Sequence, residues 1–177
     1  TVEGLGADLF AQDGQGSTRV LKINNGTVDI SGLTIKNGSS TYRGGIYNYY
    51  GATLTLTNST VSGNTALFGG GIYNLGTMTV ANSTVSGNSA SSSGGGVSNQ
   101  GTLTITNSTI SGNSGTGGGG FLNNGTLTIA NSIVGGNNGG LGGGGGIGIA
   151  SNVPSTVTIT NSTVSGNTAG SGGGIFA

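Results

Sequence analysis

The sequence predicts an all-β chain wound as a parallel β-helix. Three observations carry that prediction. One phrase recurs along the chain: GATLTLTNSTVSGNTA, GTMTVANSTVSGNSA, GTLTITNSTISGNSG, GTLTIANSIVGGNN and STVTITNSTVSGNTA. Its recurring asparagine falls at Asn58, Asn82, Asn107, Asn131 and Asn161, at spacings of 24, 25, 24 and 30 residues. Each copy contains three short strand-like pieces, and no segment carries a helical apolar stripe. A unit of this size cannot bury its own apolar face, but stacked units can.

The first piece of each repeat alternates Thr with an aliphatic residue, as in Thr102-Leu103-Thr104-Ile105-Thr106. This is the period-2 pattern of a half-buried strand. The second piece holds one aliphatic residue, such as Ile110, among Ser and Thr. The third is a glycine run closed by an apolar residue, as in Gly69-Gly70-Gly71-Ile72. Asn and Gly punctuate the joins, where the backbone must turn tightly or pass through left-handed conformations. Residues 26 to 38 are a fainter copy with Gly32 in the Asn place, and residues 1 to 20 make one degenerate coil more. About seven coils of roughly 24 residues result, stacked at ~4.8 Å into a rod roughly 34 Å long.

Stacking defines the inward columns. One is Leu54, Met78, Leu103, Leu127 and Val157, and its neighbour is Leu56, Val80, Ile105, Ile129 and Ile159. A third is Val61, Val85, Ile110, Val134 and Val164. A fourth is Ile46, Ile72, Val97, Phe121 and Ile175, with Ile147 or Ile149 between the last two. We read 1–177 as a single solenoid domain. Residues 1–43 are degenerate, charged first coils, 44–177 are regular uncharged coils, and 138–155 is a glycine-rich insertion containing Pro154, expected to protrude as a loop.

The pairing of Val61-Ser62-Gly63-Asn64 with Gly69-Gly70-Gly71-Ile72, repeated down the chain, resembles the polymorphic outer-membrane protein repeat. It is also similar to wider families of secreted bacterial right-handed β-helix proteins. Val or Ile stands where that repeat usually begins with Phe. The resemblance covers residues 26 to 177. It implies a right-handed coil, a secreted or cell-surface location, and the company of adhesins, passenger domains and other surface proteins.

Composition narrows the function. Glycine supplies 42 of 177 residues and proline one, but the glycines come in runs and not at every third position, so collagen is excluded. A flexible Gly/Ser linker would lack the fixed aliphatic alternation. The four acids and four bases all lie in the first 43 residues: Glu3, Asp8, Asp13, Asp29, Arg19, Lys22, Lys36 and Arg43. The remaining 134 residues contain no Asp, Glu, Lys, Arg, His or Cys. Catalysis, metal ligation and a cofactor are therefore not expected, and the chain reads as a non-enzyme. Nucleic acid has no basic track to follow. No apolar run reaches the ~18 residues of a membrane span. Asp8 and Asp13 suggest carbohydrate cleavage, but such chemistry needs carboxylates converging on one face, and Asp13 reads as part of a turn.

Several columns are candidate binding or structural features. The pairs Thr53/Thr55, Thr77/Thr79, Thr102/Thr104, Thr126/Thr128 and Thr156/Thr158 face outward if the aliphatic residues between them face inward. They would form two threonine columns, ~4.8 Å along the rod and ~6.7 Å across it. That array resembles the ice-binding faces of β-solenoid antifreeze proteins. Otherwise it reflects the preference of Thr for exposed strands. Tyr47, Tyr49, Tyr50 and Tyr73 gather on the early coils with Tyr42 and Phe68. Tyr47 and Tyr73 share an outward column, and the cluster either binds sugars or a protein or simply stacks coil on coil.

Asn58, Asn82, Asn107, Asn131 and Asn161 read as a hydrogen-bonded side-chain ladder, with N-glycosylation as the alternative at the four that begin Asn-Ser-Thr. Asn25, Asn37 and Asn124 begin further sequons. Asn64, Asn88, Asn113 and Asn167 suggest a second ladder, and Asn48, Asn74, Asn99 and Asn123 a third. The glycine runs lack the Lys-Ser/Thr of a phosphate loop and suggest instead a thin face for lateral packing. Neither end reads as a polar cap, so coils are expected to continue in a longer solenoid or by end-to-end stacking. The expected function is an extracellular structural protein, a filament subunit or adhesin-type stalk. Its expected partners are further copies of itself, glycans or ice, the last through the Thr columns.

Overall fold

The computed structural model describes residues 2–3, 11–13, 18–150 and 154–177. It is a parallel β-solenoid whose strands pair only with equivalent strands of the coils above and below. Among the described residues there are three seven-stranded sheets and one four-stranded sheet. The first sheet contains Ala52–Thr57, Thr77–Ala81, Thr102–Thr106, Thr126–Ala130 and Thr156–Thr160, preceded by Val2–Glu3 and Gly26–Ser31. The second contains the short strands typified by Thr60–Ser62, and the third those typified by Ile72–Asn74. The fourth, of two-residue strands such as Thr65–Ala66 and Ser89–Ala90, was not expected from the sequence. Its strands are too short for an alternation to show.

The aliphatic columns fall in the expected register. Leu54, Met78 and Leu103 pair in line, as do Leu56, Val80 and Ile105. Ile147, not Ile149, takes the place between Phe121 and Ile175. Every column member from Ile46 to Ile147 is essentially sealed from solvent. At roughly 1.5–3 kcal/mol per buried large side chain, this continuous core is the main stabilising term.

Two corners of each coil need left-handed backbone. The first holds Asn58, Asn82, Asn107, Asn131 and Asn161, with φ between 48 and 51°. The second holds Gly63, Gly87, Gly112, Gly136 and Gly166, with φ between 61 and 65°. The early coil exchanges the two solutions. Gly32 takes the Asn corner at φ 68° and Asn37 the Gly corner at φ 53°. Gly and Asn are the residues that enter this region at least cost.

The glycine runs are not a lateral packing face. Gly70, Gly71, Gly94–Gly96 and Gly118–Gly120 are buried. A Cβ on Gly95 would stand 2.2 Å from the Ser114 carbonyl oxygen, and one on Gly44 2.2 Å from that of Gly70. The runs are wall, pressed against the backbone of the next coil.

Nor does the whole glycine-rich stretch at 138–155 protrude. Asn138 bridges Thr168 and Gly144 bridges Gly172, so this segment keeps the coil's path. Phe121 and Leu127 are 6 positions apart, whereas their partners Ile147 and Val157 are 10 apart. Ile110 and Phe121 are 11 apart, and their partners Val134 and Ile147 are 13 apart. The extra residues therefore fall at two places. One is beside the exposed Leu141, and the other lies between Ile149 and Thr156, a span that includes the undescribed 151–153.

Candidate functional site

Side-chain ladders tie the coils together. Asn64, Asn88, Asn113, Asn137 and Asn167 form one: each Nδ2 donates to the Oδ1 of the next at 2.9–3.0 Å. Each rung's Nδ2 also donates to a backbone carbonyl of the preceding coil, as Asn88 does to Val61 at 3.0 Å. Asn48, Asn74, Asn99 and Asn123 form another, at 2.8 Å per rung. Ile23 and Ile149 occupy the next positions at its two ends. Asn137 was missed in the sequence because its coil reads Gly-Gly-Asn-Asn where the others read Ser-Gly-Asn.

The asparagines of the Asn-Ser-Thr step behave differently from the expectation. Asn58, Asn82, Asn107, Asn131 and Asn161 are exposed, and they serve through their backbone at the left-handed corner. The buried rungs belong to the serines beside them. Ser59, Ser83, Ser108 and Ser132 each accept or pass on a bond, the backbone N–H of one donating to the Oγ of the next at 3.0–3.1 Å, ending on Ser162. In the sequence both residues recur equally. Only the sign of φ decides which side chain turns inward.

The threonine columns form as spacing predicted. Thr53, Thr77, Thr102, Thr126 and Thr156 stand in one register, and Thr55, Thr79, Thr104, Thr128 and Thr158 in the next. The last pair stays aligned despite the insertion before it. Thr27 and Asp29 extend the two columns into the charged first coils, so an acid begins one of them. This face can offer hydroxyls and methyl groups on a regular lattice.

The tyrosines build a different kind of site. On the third sheet Lys22, Tyr47 and Tyr73 lie in one outward column. Beside it, backbone bonds from Tyr49 to Ile23, Leu75 to Asn48 and Gln100 to Asn74 stack Asn24, Tyr49, Leu75 and Gln100 into a second. Tyr47 and Tyr73 point away from the main core, yet they are only 5% and 6% exposed. Phe68 and Leu75 pack on them as a second apolar cluster. Tyr47 meets Tyr73 edge to face at 5.8 Å and Tyr49 at 5.5 Å. Tyr49 and Tyr50, by contrast, remain 42% and 58% exposed.

Arg43, which sequence reasoning did not single out, organises the cluster. Its guanidinium carbon lies 4.4 Å from the Tyr47 ring centroid and 4.6 Å from that of Tyr73. Arg19 lies 5.2 Å from Tyr47, and its Nε donates to the Arg43 carbonyl at 3.1 Å. Gln100 Nε2 donates to the Tyr73 hydroxyl at 2.7 Å. Burial pushes the Tyr47 phenol above the ordinary tyrosine range, with Arg43 opposing. Burial, and then Arg43, pull Arg19 below the usual arginine value. Between these groups lies a pocket of about 610 Å³ lined by Lys22, Arg43, Tyr47, Tyr49, Tyr50 and Tyr73 among others. The signal in the sequence was faint: one arginine just before the first charge-free coil.

Asp8 lies outside the described residues, and Asp13 ends the strand Ala11–Asp13, paired with Lys36, where a turn was expected. Among the described residues no group of three or more His, Cys, Asp or Glu gathers, and no helix is long and apolar enough to cross a membrane.

Fold and ladders together define a β-solenoid repeat protein. The family model described as right handed beta helix region matches residues 19–177, and the chain belongs to that family. The match is to this general family and not to the polymorphic outer-membrane repeat in particular. No curated protein and no solved structure matches the chain.

Proposed function

We propose that the protein is a non-enzymatic, extracellular structural rod, of the kind that serves as a filament subunit or an adhesin-type stalk. The observation that supports this best is the set of three side-chain ladders, which run through successive coils parallel to the rod axis. A coil cannot tilt or slide without breaking buried amide and hydroxyl bonds at several corners together. Stiffness along one axis is what a stalk or filament requires. Electron microscopy and sedimentation of the intact native protein test the reading. Straight rods many coils long are expected. Short particles that stay strictly monomeric would overturn it.

The threonine register favours a second reading, ice binding. Ten threonines stand in two aligned columns on one sheet, spaced ~4.8 Å along the rod and ~6.7 Å across it. Thermal hysteresis that disappears in Thr104→Tyr would establish it, and a flat freezing curve for the unaltered protein would remove it.

A further inference from the structure

We propose that the pocket over Tyr47 and Tyr73 binds an acidic saccharide, with its carboxylate on Arg43 and Lys22 and its sugar ring against Tyr49 and Tyr50. This goes beyond the rod's mechanical role, which needs no pocket, and it stands or falls independently of it.

Charge is the first argument. Of the chain's four bases, Lys22 and Arg43 line the pocket and Arg19 stands beside them over Tyr47, and among the described residues the lining includes no acid. The charge-free coils beyond Gly44 supply nothing to neutralise them. Two cations on a lining whose other described members are uncharged favour an anion.

Geometry is the second. Arg43 is held in place by two tyrosine rings, at 4.4 and 4.6 Å. Its Nε is buried and has no hydrogen-bond partner. A guanidinium anchored over two rings keeps its planar fork for a carboxylate and loses little freedom on binding. Lys22, exposed and in register with Tyr47, adds a second cation at the rim.

The aromatic rings decide the ligand class. Packing buries Tyr47 and Tyr73, whereas Tyr49 and Tyr50, stacked edge to face on each other, still keep about half of their surface open to solvent. An amphipathic ring with an apolar face and a polar edge suits the C–H face of a pyranose. Asn24 places an amide on the same lining, and Gln100, whose Nε2 donates to the Tyr73 hydroxyl, adds its Oε1 as an acceptor for sugar hydroxyls. About 610 Å³ is ample for one or two sugar units. A nucleic acid would need an extended basic track, which the uncharged coils do not provide.

Cellobiouronic acid and cellobiose, which differ only in one carboxylate, are the probes, titrated into the intact chain and followed by tyrosine NMR signals and calorimetry. The acid is expected to bind about tenfold tighter than the neutral sugar, the advantage shrinking with salt. Lys22→Gln should weaken it about threefold, since this cation is exposed. Arg43→Lys, which keeps charge but loses the planar fork, should weaken it about tenfold. Tyr50→Ser, on an exposed ring, should cost several-fold without moving the unfolding midpoint. Equal affinity for cellobiose, binding of triglutamate as tight as that of the sugar acid, unchanged binding in both Lys22→Gln and Tyr50→Ser, or no binding at all would each overturn the proposal.

Discussion

Two asparagine columns six residues apart in the same repeat have opposite fates. Asn58 and its equivalents stand exposed at a left-handed corner and work through the backbone. Asn64, Asn88, Asn113 and Asn137 are buried, with Asn167 half-buried at the end, and work through the side chain, each bonding to the amide of the next. Composition and recurrence are the same in both. What differs is whether the corner turns the Cβ out or in. Recurrence of a polar residue in a solenoid therefore reports a constraint without saying which half of the residue bears it.

The comparison is broken most severely where the wall between the corners admits no side chain at all. Gly95→Ala drives a Cβ to 2.2 Å from the Ser114 carbonyl oxygen, against backbone that cannot step aside. It should cost about 3 kcal/mol or more, at the top of the range for overpacking, read as the midpoint of urea unfolding.

Next comes Asn88→Ala, which removes an interior rung. The Asn64 backbone N–H and the Val61 carbonyl lose their partners inside the rod. The expected loss is about 2–3 kcal/mol, because buried polar groups are left unpaired. Hydrogen exchange should quicken in the coils on both sides of the missing rung.

Asn82→Ala, at the exposed corner, should cost only about 1 kcal/mol, the penalty of placing a Cβ-bearing residue without a polar side chain in the left-handed region. Asn82→Gly should be near neutral, as Gly32 already shows at the equivalent place. If Asn82→Ala proved as damaging as Asn88→Ala, or Asn82→Gly equally so, the distinction between the columns would collapse.

The most local effect is expected at the tyrosine pocket. Burial raises the folded-state value of Tyr47 above the unfolded one, so its neutral form is favoured by folding. That contribution is intact below pH ~10 and is lost as pH rises through the folded value. Tyrosinate absorbance should show one late-titrating phenol, and Tyr47→Phe should remove it while flattening the alkaline fall in stability.

Much of the architecture was legible in the chain. A period of 24 to 25 residues, an alternating Thr/aliphatic piece and a glycine run were enough to place the aliphatic columns and the threonine register. Two of the ladders were also legible, because their asparagines recur beside the strands. The fourth sheet was not, since strands of two residues leave no pattern. The tyrosine site was half legible: the rings recur, but the cation that organises them occurs once.

The sequence by itself determined the coil, because periodicity of burial along a chain is a one-dimensional property and repeats state it several times over. Only the tertiary structure decided three things. It turned Ser59 inward and Asn58 outward, through the sign of one dihedral angle. It pressed the glycines against the neighbouring coil, so that they became wall and not surface. It brought Lys22 and Arg43 to one pocket, with Arg19 beside them, through stacking of coils about 25 residues apart, a meeting that depends on register between turns and leaves no mark in the local sequence.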